Sequence, residues 1–246
     1  MKTQKLDFAP LWPLPAGQRN EDAVYSFFIM AKIDLMEVYQ TLLHHFGHRN
    51  WWPGETPMEI CIGAILTQNT NWKNVERAIA NLKQAHFLSY KGLKDAPLDR
   101  VRECIRPSGY YNQKALKLKA FTVFLAKEYS GSLAKMFREE TPILRQKLLR
   151  VKGIGPETAD SILLYAGRHP VFVIDLYTYR IVTRHGWLPE ETRYEELQEF
   201  FQDNIPPDVD LYNDFHAQLV AAGANYCRKT PQCEECPLKR FLNDGF

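Results

Sequence analysis

The sequence lacks any long apolar run. None of its apolar stretches reaches the roughly 20 residues that span a bilayer, and the N-terminus has no basic segment followed by an apolar one. We therefore predict a cytoplasmic protein without a membrane partner. Strand-like alternation is nearly absent, with Val171–Ile174 as the only credible strand, and no internal repeat or low-complexity segment occurs. These absences leave an all-α fold as the prediction.

An excess of charge of one sign is also missing. The 246 residues include 31 Lys and Arg against 29 Asp and Glu, a net charge of +2. Such a balance permits nucleic-acid binding but does not argue for it, because any electrostatic contact must come from local patches. Cysteine is sparse: there are five, three of them within the last twenty residues. That number does not suggest a disulfide framework in a cytosolic chain of this length.

Helical periodicity runs through almost all of the chain beyond residue 22. Apolar residues recur at helical spacing in three stripes, which are Leu35, Tyr39, Leu42, Leu43 and Phe46; Leu144, Leu148 and Val151; and Tyr194, Leu197, Phe200 and Phe201. The run Thr56-Pro57-Met58-Glu59 is typical of a capping box with proline at the first helical position. We predict about ten short helices, preceded by an irregular N-terminal extension over residues 1–22.

The most informative segment is residues 148–160, in which Gly153-Ile154-Gly155 separates two apolar helical runs. Glycine permits a sharp turn and leaves the backbone amides open to a ligand. Pro156 suits the first position of the following helix, where its missing N–H costs nothing. Free N–H groups and a positive helix end would therefore converge where a phosphate oxygen can bind. Most Gly-x-Gly turns are plain turns, so the hairpin needs a second feature beside it.

That second feature is Asp175, fifteen residues after Asp160 and directly after the apolar run Val171–Ile174. A carboxylate in such surroundings is costly to bury. It could simply be the N-cap of a helix beginning at Leu176. Together with the hairpin and its spacing, however, it resembles the helix-hairpin-helix DNA glycosylases of the endonuclease III superfamily. The resemblance implies that Asp175 is catalytic and that Gly153, Ile154 and Gly155 bind DNA phosphate.

Two further segments, 65–70 and 108–115, carry the same resemblance. It implies that Gln68 fills the gap left by a flipped-out nucleotide, which base chemistry requires because a stacked base hides its glycosidic bond. It also implies that Tyr110 wedges the opposite strand. Lys114 and Lys117 are candidate phosphate contacts. The alternatives are ordinary helix termination at Gln68 and packing at a turn for Tyr110.

The resemblance also implies a two-lobed organisation with the active-site cleft between the lobes. The expected central lobe covers residues 54–165, with the helix-hairpin-helix at about 143–168. The second lobe would combine 23–53 with 166–226, and a cysteine-containing tail would follow over 227–246.

Glu157 indicates which reaction is expected. Relatives that also cut the strand have a lysine at this position, whose amine attacks the sugar to form a Schiff base. A carboxylate cannot form that imine, and Lys152 is the nearest amine in the sequence. We therefore expect hydrolysis without strand cleavage, with Asp175 stabilising an oxocarbenium-like sugar and positioning or deprotonating water.

Tryptophans indicate the substrate. Trp51-Trp52-Pro53 and Trp72 are the candidate base pocket, although core packing is the usual role of tryptophan. Aromatic faces would attract a cationic base by about 1–2 kcal/mol per desolvated contact. Alkylated purines such as 3-methyladenine are cationic and already have weakened glycosidic bonds. The tryptophan segment, the segments around Gln68 and Tyr110, and the glycine hairpin are together most similar to the 3-methyladenine DNA glycosylase branch of the superfamily.

The tail contains Cys227, Cys233 and Cys236 in a C-x5-C-x2-C array. Relatives have four cysteines here, which bind a [4Fe–4S] cluster, whereas Leu242 stands at the fourth position of this chain. Iron–sulfur clusters normally take four thiolates. Three interpretations stay open: a cluster without a fourth cysteine, a zinc site completed by a residue such as His216, or a tail without metal.

The predicted function is therefore a monofunctional DNA glycosylase that excises alkylated purines in base-excision repair. Its expected partner is double-stranded DNA containing damaged bases, and we expect it to act as a monomer. One alternative is an endonuclease III-like glycosylase for uracil, mismatched thymine or an oxidised pyrimidine. The other is a non-catalytic DNA-damage binding protein, although such a protein has no need for a carboxylate beside phosphates.

Overall fold

The computed structural model describes residues 33–49, 51–52 and 54–242. The predicted N-terminal extension over 1–22 lies outside these residues. The described residues contain twelve α-helices and no strand, which confirms the all-α prediction. The helices are α1 Leu35–Phe46, α2 Pro57–Leu66, α3 Trp72–Gln84, α4 Tyr90–Asp95, α5 Leu98–Ile105, α6 Tyr111–Tyr129, α7 Leu133–Met136, α8 Thr141–Leu149, α9 Pro156–Ser161, α10 Leu176–Arg184, α11 Tyr194–Gln202 and α12 Val209–Asn225.

Short helical turns join several of these elements. A π-helix over Ile162–Ala166 continues α9 directly, and 3₁₀ turns cover Arg106–Ser108, Cys233–Glu235 and Lys239–Phe241. Local signals in the sequence set several boundaries. Thr56 caps α2 by accepting a hydrogen bond from the Glu59 amide at 3.2 Å, and Pro156 opens α9 as its position in the sequence predicts.

The buried side chains form two hydrophobic clusters. The first takes its members from residues 58–163 together with Val171. The second takes its members from residues 35–42 and 164–241. The chain therefore passes from one core to the other inside the π-helix. Both cores belong to one compact unit, and their assignment to separate lobes stays a prediction.

The segment Val171–Ile174 is buried but is not the strand that its sequence suggested. Side chains of α11, rather than a neighbouring strand, satisfy part of its backbone. The Phe172 amide donates to Gln202 Oε1 at 2.9 Å, and Gln198 Nε2 donates to the Phe172 carbonyl at 2.7 Å. Buried backbone groups need partners of some kind, and here amide side chains provide them. The segment places Asp175 at the start of α10.

None of the helices in the described part of the chain is both long enough and apolar enough to cross a membrane.

Candidate active site

The hairpin between α8 and α9 presents its backbone outward. Ile154 is buried and anchors the turn, while Gly153 and Gly155 are exposed. The Gly153 and Gly155 amides donate to no backbone acceptor within the described residues. Gly153 has φ +90°, and a Cβ there would lie 2.5 Å from Lys117 Cγ, so this position requires glycine. Nothing lies within 4 Å of a Cβ at Gly155, which faces open space. The hairpin thus offers two unpaired donors on an accessible turn.

Gln68 is bound to the back of this hairpin. Its Nε2 donates to the Gly153 carbonyl at 3.1 Å and to Thr158 Oγ1 at 2.9 Å. The Lys117 ammonium donates to its Oε1. The side chain therefore lies at the end of α2 beside the hairpin, and inserting it into a duplex would break these three contacts. Lys117 is partly buried against the hairpin.

Lys114 corrects the phosphate contact predicted for it. Its side chain is 2% exposed, and its ammonium donates to the carbonyls of Leu66 at 2.9 Å and Ser108 at 2.6 Å. Burial and the nearby Lys117 lower the pKa of Lys114 to about 8. The amine joins the end of α2 to the turn before α6, so it has no open face toward a phosphate. Its position on the first turn of a helix gave no sign of this role.

Tyr110 protrudes from the surface at the turn before α6. It is 66% exposed and has φ 45°, a left-handed conformation that is uncommon for a residue other than glycine. An exposed large aromatic ring at a tight turn is compatible with the predicted wedge and excludes core packing as its role. Its neighbour Tyr111 packs against the first hydrophobic cluster.

Asp175 is the N-cap of α10, and its Oδ1 accepts a hydrogen bond from the Thr178 amide at 2.7 Å. The N-cap role that the sequence offered as an alternative for Asp175 is therefore correct. It does not exclude a catalytic role for the same carboxylate. The side chain is 14% exposed, and His216 Nε2 lies 3.8 Å from its Oδ1. The Tyr165 hydroxyl is hydrogen-bonded to Nδ1 of that histidine. Sequence reasoning missed both residues, which are 10 and 41 positions away from Asp175.

Glu157 is the second carboxyl group near this point. Glu157 is an exposed residue, although nearby protein atoms remove part of the hydration of its carboxyl group. Burial and the negative charge of Asp175 raise the pKa of Glu157 to about 8. A proton on Glu157 removes one of two like charges from the site. Lys152, the nearest amine in the sequence, is exposed.

Three tryptophans form one cluster, in which Trp51 and Trp52 pack against the second core and Trp72 packs against the first. Ring centroids are 5.8 Å apart for Trp51 and Trp52, 6.1 Å for Trp51 and Trp72, and 5.0 Å for Trp52 and Trp72. Trp52 also packs on Tyr165, with centroids 4.9 Å apart and planes 33° apart. Contacts thus continue from Trp72 through Trp52 and Tyr165 to His216 and Asp175. The fourth predicted pocket residue, Pro53, lies outside the described residues.

A cavity of about 220 Å³ opens beside this cluster, between α2 and α3. Trp52 and Trp72 form aromatic walls, and Glu59 and Glu76 contribute carboxylates. Trp72 Nε1 donates to Glu76 Oε1 at 3.0 Å, which fixes the ring. Asp175 does not line this cavity. Lys83 lines the cavity as well, with its ammonium paired to Glu55, so the aromatic faces rather than the charge of the lining favour a cationic group.

The three tail cysteines line a second cavity, of about 260 Å³, and Leu242 lines it with them. Arg184 fixes the loop, since its Nη1 donates to the Arg228 carbonyl at 2.6 Å and lies 3.5 Å from Cys227 Sγ. His185 also lines this cavity. No three His, Cys, Asp or Glu side chains of the described chain are close enough together to hold a single metal ion. Three sulfurs around a shared cavity suit a polynuclear cluster, whose thiolates bind different irons.

The suggestion that His216 completes a zinc site in the tail is wrong. His216 is bonded to Tyr165 beside Asp175 and does not line the cysteine cavity. Two basic residues of the tail form ion pairs with acidic residues of this chain. Lys239 pairs with Glu234, and Arg240 pairs with Glu37 at 2.8 Å.

Asp160 has a structural role that the sequence did not reveal. It is fully buried and accepts two hydrogen bonds from Arg145, at 2.7 and 3.0 Å. Tyr194 and Gln198 of α11 each donate to it at 2.8 Å. Because its partners lie up to 38 residues away, only the folded chain shows that this carboxylate joins the two cores.

The chain is similar in sequence and in fold to several known proteins. The profile of the family described as "HhH-GPD superfamily base excision DNA repair protein" matches residues 62–207. A protein of Methanocaldococcus jannaschii named as a DNA repair glycosylase is 46% identical over 84% of this chain and 94% of its own length. The 3-methyladenine DNA glycosylase MagIII of H. pylori, solved with 1,N6-ethenoadenine, is 33% identical, with a TM-score of 0.69 over 76% of this chain and 96% of that one. An endonuclease III–DNA complex shares the fold at 20% identity and a TM-score of 0.75, over 88% of this chain and 97% of that one.

Proposed function

Since the chain belongs to the HhH-GPD superfamily of base excision DNA repair proteins and is a DNA glycosylase, we propose that it hydrolytically excises alkylated purines of the 3-methyladenine type. The flipped-out base would stack on the tryptophan cluster, and Asp175 would stabilise the positive charge that develops on the sugar. The observation that carries this proposal is the unbroken series of contacts from Trp72 to Asp175. It joins an aromatic surface for a base to a carboxylate for the sugar.

The aromatic faces of the tryptophan cluster support a cationic base, because a ring face attracts a positive charge. A base that is already cationic leaves without a strong acid to protonate it. MagIII, which is a 3-methyladenine DNA glycosylase by name, is 33% identical in sequence to this chain. A site for uracil or thymine would instead need hydrogen-bonding groups around a neutral ring.

Glu157 supports a reaction that leaves the strand intact. It stands where strand-cutting relatives have their amine nucleophile, and a carboxyl group cannot form a Schiff base. Burial and the charge of Asp175 raise its pKa, so it adds less negative charge beside a DNA phosphate than an ordinary carboxylate would. Hydrolysis assisted by Asp175 is then the remaining route.

The test is a base-release assay on three duplexes, containing methylated purines, uracil or an oxidised pyrimidine. We expect 3-methyladenine to appear in the soluble fraction, and nicks to appear only after hot alkali. Release of uracil or the oxidised pyrimidine instead would overturn the substrate class. Nicks without alkali would overturn the role given to Glu157. Damaged DNA bound with no base released from any duplex would favour a non-catalytic damage-binding protein.

DNA contacts are proposed for the hairpin, Gln68 and Tyr110. The Gly153 and Gly155 amides would donate to one phosphate, as unpaired N–H groups at a helix start do. Tyr110 would enter the opposite strand. Gln68 would exchange its hydrogen bonds with the hairpin for the space left by the flipped nucleotide, which couples hairpin binding to base extrusion.

Two alanine substitutions in the hairpin separate structure from binding. Gly153→Ala should lower both thermal stability and affinity for DNA, because its φ is positive and its Cβ would meet Lys117. Gly155→Ala should leave stability unchanged, since its Cβ meets nothing, yet weaken binding about tenfold by obstructing the phosphate. Thermal unfolding and fluorescence anisotropy on a labelled duplex measure both effects. Wild-type affinity for Gly155→Ala would mean that the hairpin amides do not contact phosphate.

We further propose that Cys227, Cys233 and Cys236 hold an iron–sulfur cluster with structural function. The cluster would brace the tail against α10, where Arg184 already fixes the loop. The donor set fits three of the four thiolate positions, and Leu242 lines the cavity at the fourth.

Leu242→Cys should therefore increase the iron and sulfide retained per chain after anaerobic reconstitution. Leu116→Cys is the matched control, because it adds a thiol at an exposed site away from the cavity. Iron analysis and electron paramagnetic resonance give the readout. Equal metal content in Leu242→Cys, Leu116→Cys and a variant with all three tail cysteines changed to serine would contradict a cluster here.

A further inference from the structure

A buried histidine faces Asp175, and the proposed reaction does not yet use it. His216 lies on α12 and is 4% exposed. Its Nδ1 is hydrogen-bonded to the Tyr165 hydroxyl, and its Nε2 lies 3.8 Å from Asp175 Oδ1. That Nε2 has no hydrogen-bond partner among the described residues. Buried polar atoms are nearly always paired, so an unpaired ring nitrogen aimed at a catalytic carboxylate calls for an explanation.

The ring carries a single proton, and its surroundings decide where that proton sits. Burial lowers the pKa of His216, and the charge of Asp175 only partly opposes this effect. Burial and nearby carboxylates raise the pKa of Tyr165 well above its ordinary value, so its hydroxyl keeps its proton. A protonated phenol can donate to Nδ1, which leaves the imidazole N–H on Nε2. The opposite tautomer would point a lone pair at the Asp175 carboxylate.

We propose that His216 is a positioning residue whose Nε2–H, set by Tyr165, holds the Asp175 carboxylate in its catalytic orientation. This inference rests on the proposed function, because it assumes that Asp175 performs the chemistry. Thr178 supplies the other N–H to the same carboxylate oxygen, at 2.7 Å. Two donors on one oxygen orient the side chain and leave its second oxygen free toward the sugar.

The distance of 3.8 Å suits a contact that closes during the reaction. Catalytic hydrogen bonds are often long in a free enzyme and shorten in its complex. The ring itself is held firmly, since Phe172 meets it edge-on with centroids 6.5 Å apart and planes 85° apart. Besides His216, the titratable groups whose charge acts with that of Asp175 are Glu157 and Tyr165. The Tyr165 hydroxyl already faces Nδ1, and among the described residues no hydrogen bond joins Glu157 to Asp175, whose Oδ1 accepts from Thr178.

The experiment measures the single-turnover excision rate and, separately, the affinity for a duplex with an uncleavable abasic analogue. His216→Leu removes the donor, whereas His216→Gln keeps an N–H that can take the place of Nε2–H. Tyr165→Phe keeps the ring that packs on Trp52 and removes only the hydroxyl that sets the tautomer. His169→Leu is the control, because His169 is also buried, is bonded through Nδ1 to a hydroxyl (Thr141) and has an unpartnered Nε2, but is placed in no proposed site.

We expect His216→Leu to slow excision about tenfold to hundredfold, the loss for a hydrogen bond to a charged group, with unchanged affinity for DNA. His216→Gln should recover most of the rate, and Tyr165→Phe should lose about threefold to tenfold. If His216→Leu does not fold, Tyr165→Phe decides the question. Unchanged rates in His216→Leu or Tyr165→Phe, or a loss in His216→Leu matched by His169→Leu, would overturn the inference. Asp175→Asn is assayed in parallel: activity retained there refutes the proposed function itself, whereas activity lost there but kept in His216→Leu refutes only the positioning role.

Discussion

Asp175→Asn is expected to abolish base release while leaving the fold and DNA binding intact. Asparagine keeps a side-chain oxygen that can cap α10 by accepting the Thr178 amide, so the helix start survives. It loses the negative charge that would stabilise an oxocarbenium-like sugar and the basic oxygen that would act on water. Groups in such roles contribute about 10²–10⁴-fold to the rate. Single-turnover excision of 3-methyladenine from a methylated duplex measures the loss.

Asp208→Asn provides the matched control for that substitution. Asp208 caps α12 in the same way, accepting the Leu211 amide at 2.7 Å, and is placed in no proposed site. Its variant should excise bases at the wild-type rate. Affinity for DNA should be equal or slightly higher in Asp175→Asn, since one negative charge leaves the DNA-facing site. Excision by Asp175→Asn within a few-fold of the Asp208→Asn rate would remove Asp175 from the mechanism.

The helical architecture was predictable because its signals are local. Stripes such as Leu144, Leu148 and Val151 are buried as their spacing indicates, and Pro156 marks the start of α9. The hairpin and Asp175 were also recognisable, since glycine before proline and a lone carboxylate after apolar residues have meaning within a few positions. The buried segment Val171–Ile174 was wrongly predicted as a strand for the same reason. Its composition is that of a strand, but its backbone partners are side chains of α11.

Contacts between distant residues set the remainder of the site. Nothing near Lys114 in the sequence indicates that the carbonyls of Leu66 and Ser108 bind its ammonium. His216 is a residue without a motif, and it meets Asp175 only because α12 packs on α10. Composition of the tail likewise suggested His216 as a metal ligand, although the fold places it beside Asp175 at the start of α10, whereas the cysteine cavity is lined by Arg184 at the end of that helix. Sequence patterns therefore identified the proposed reactive group, and only tertiary packing identified the residues that surround it.

Asp160→Ala is expected to be the most destabilising single substitution proposed here, by about 3–5 kcal/mol, as for other broken buried ion pairs. Removing the carboxylate leaves the Arg145 guanidinium largely buried without its counter-charge, and its side chain is only 20% exposed. Tyr194 and Gln198 each lose an acceptor as well. For a chain of this size the midpoint of thermal unfolding should fall by on the order of 10 °C. Urea unfolding followed by circular dichroism gives the free energy directly.

Asp210→Ala distinguishes this effect from the loss of any ion pair. Asp210 accepts from Arg168 at 2.9 Å, but both side chains are exposed, so we expect a change of about 0–1 kcal/mol. The difference between the two variants arises because Asp160 is bonded at once to α8 and to two residues of α11, on either side of the boundary between the cores. Its removal should therefore also weaken the cooperativity of unfolding and lower the dependence of the free energy on urea. A loss in Asp160→Ala no larger than that in Asp210→Ala would show that apolar contacts alone join the two cores.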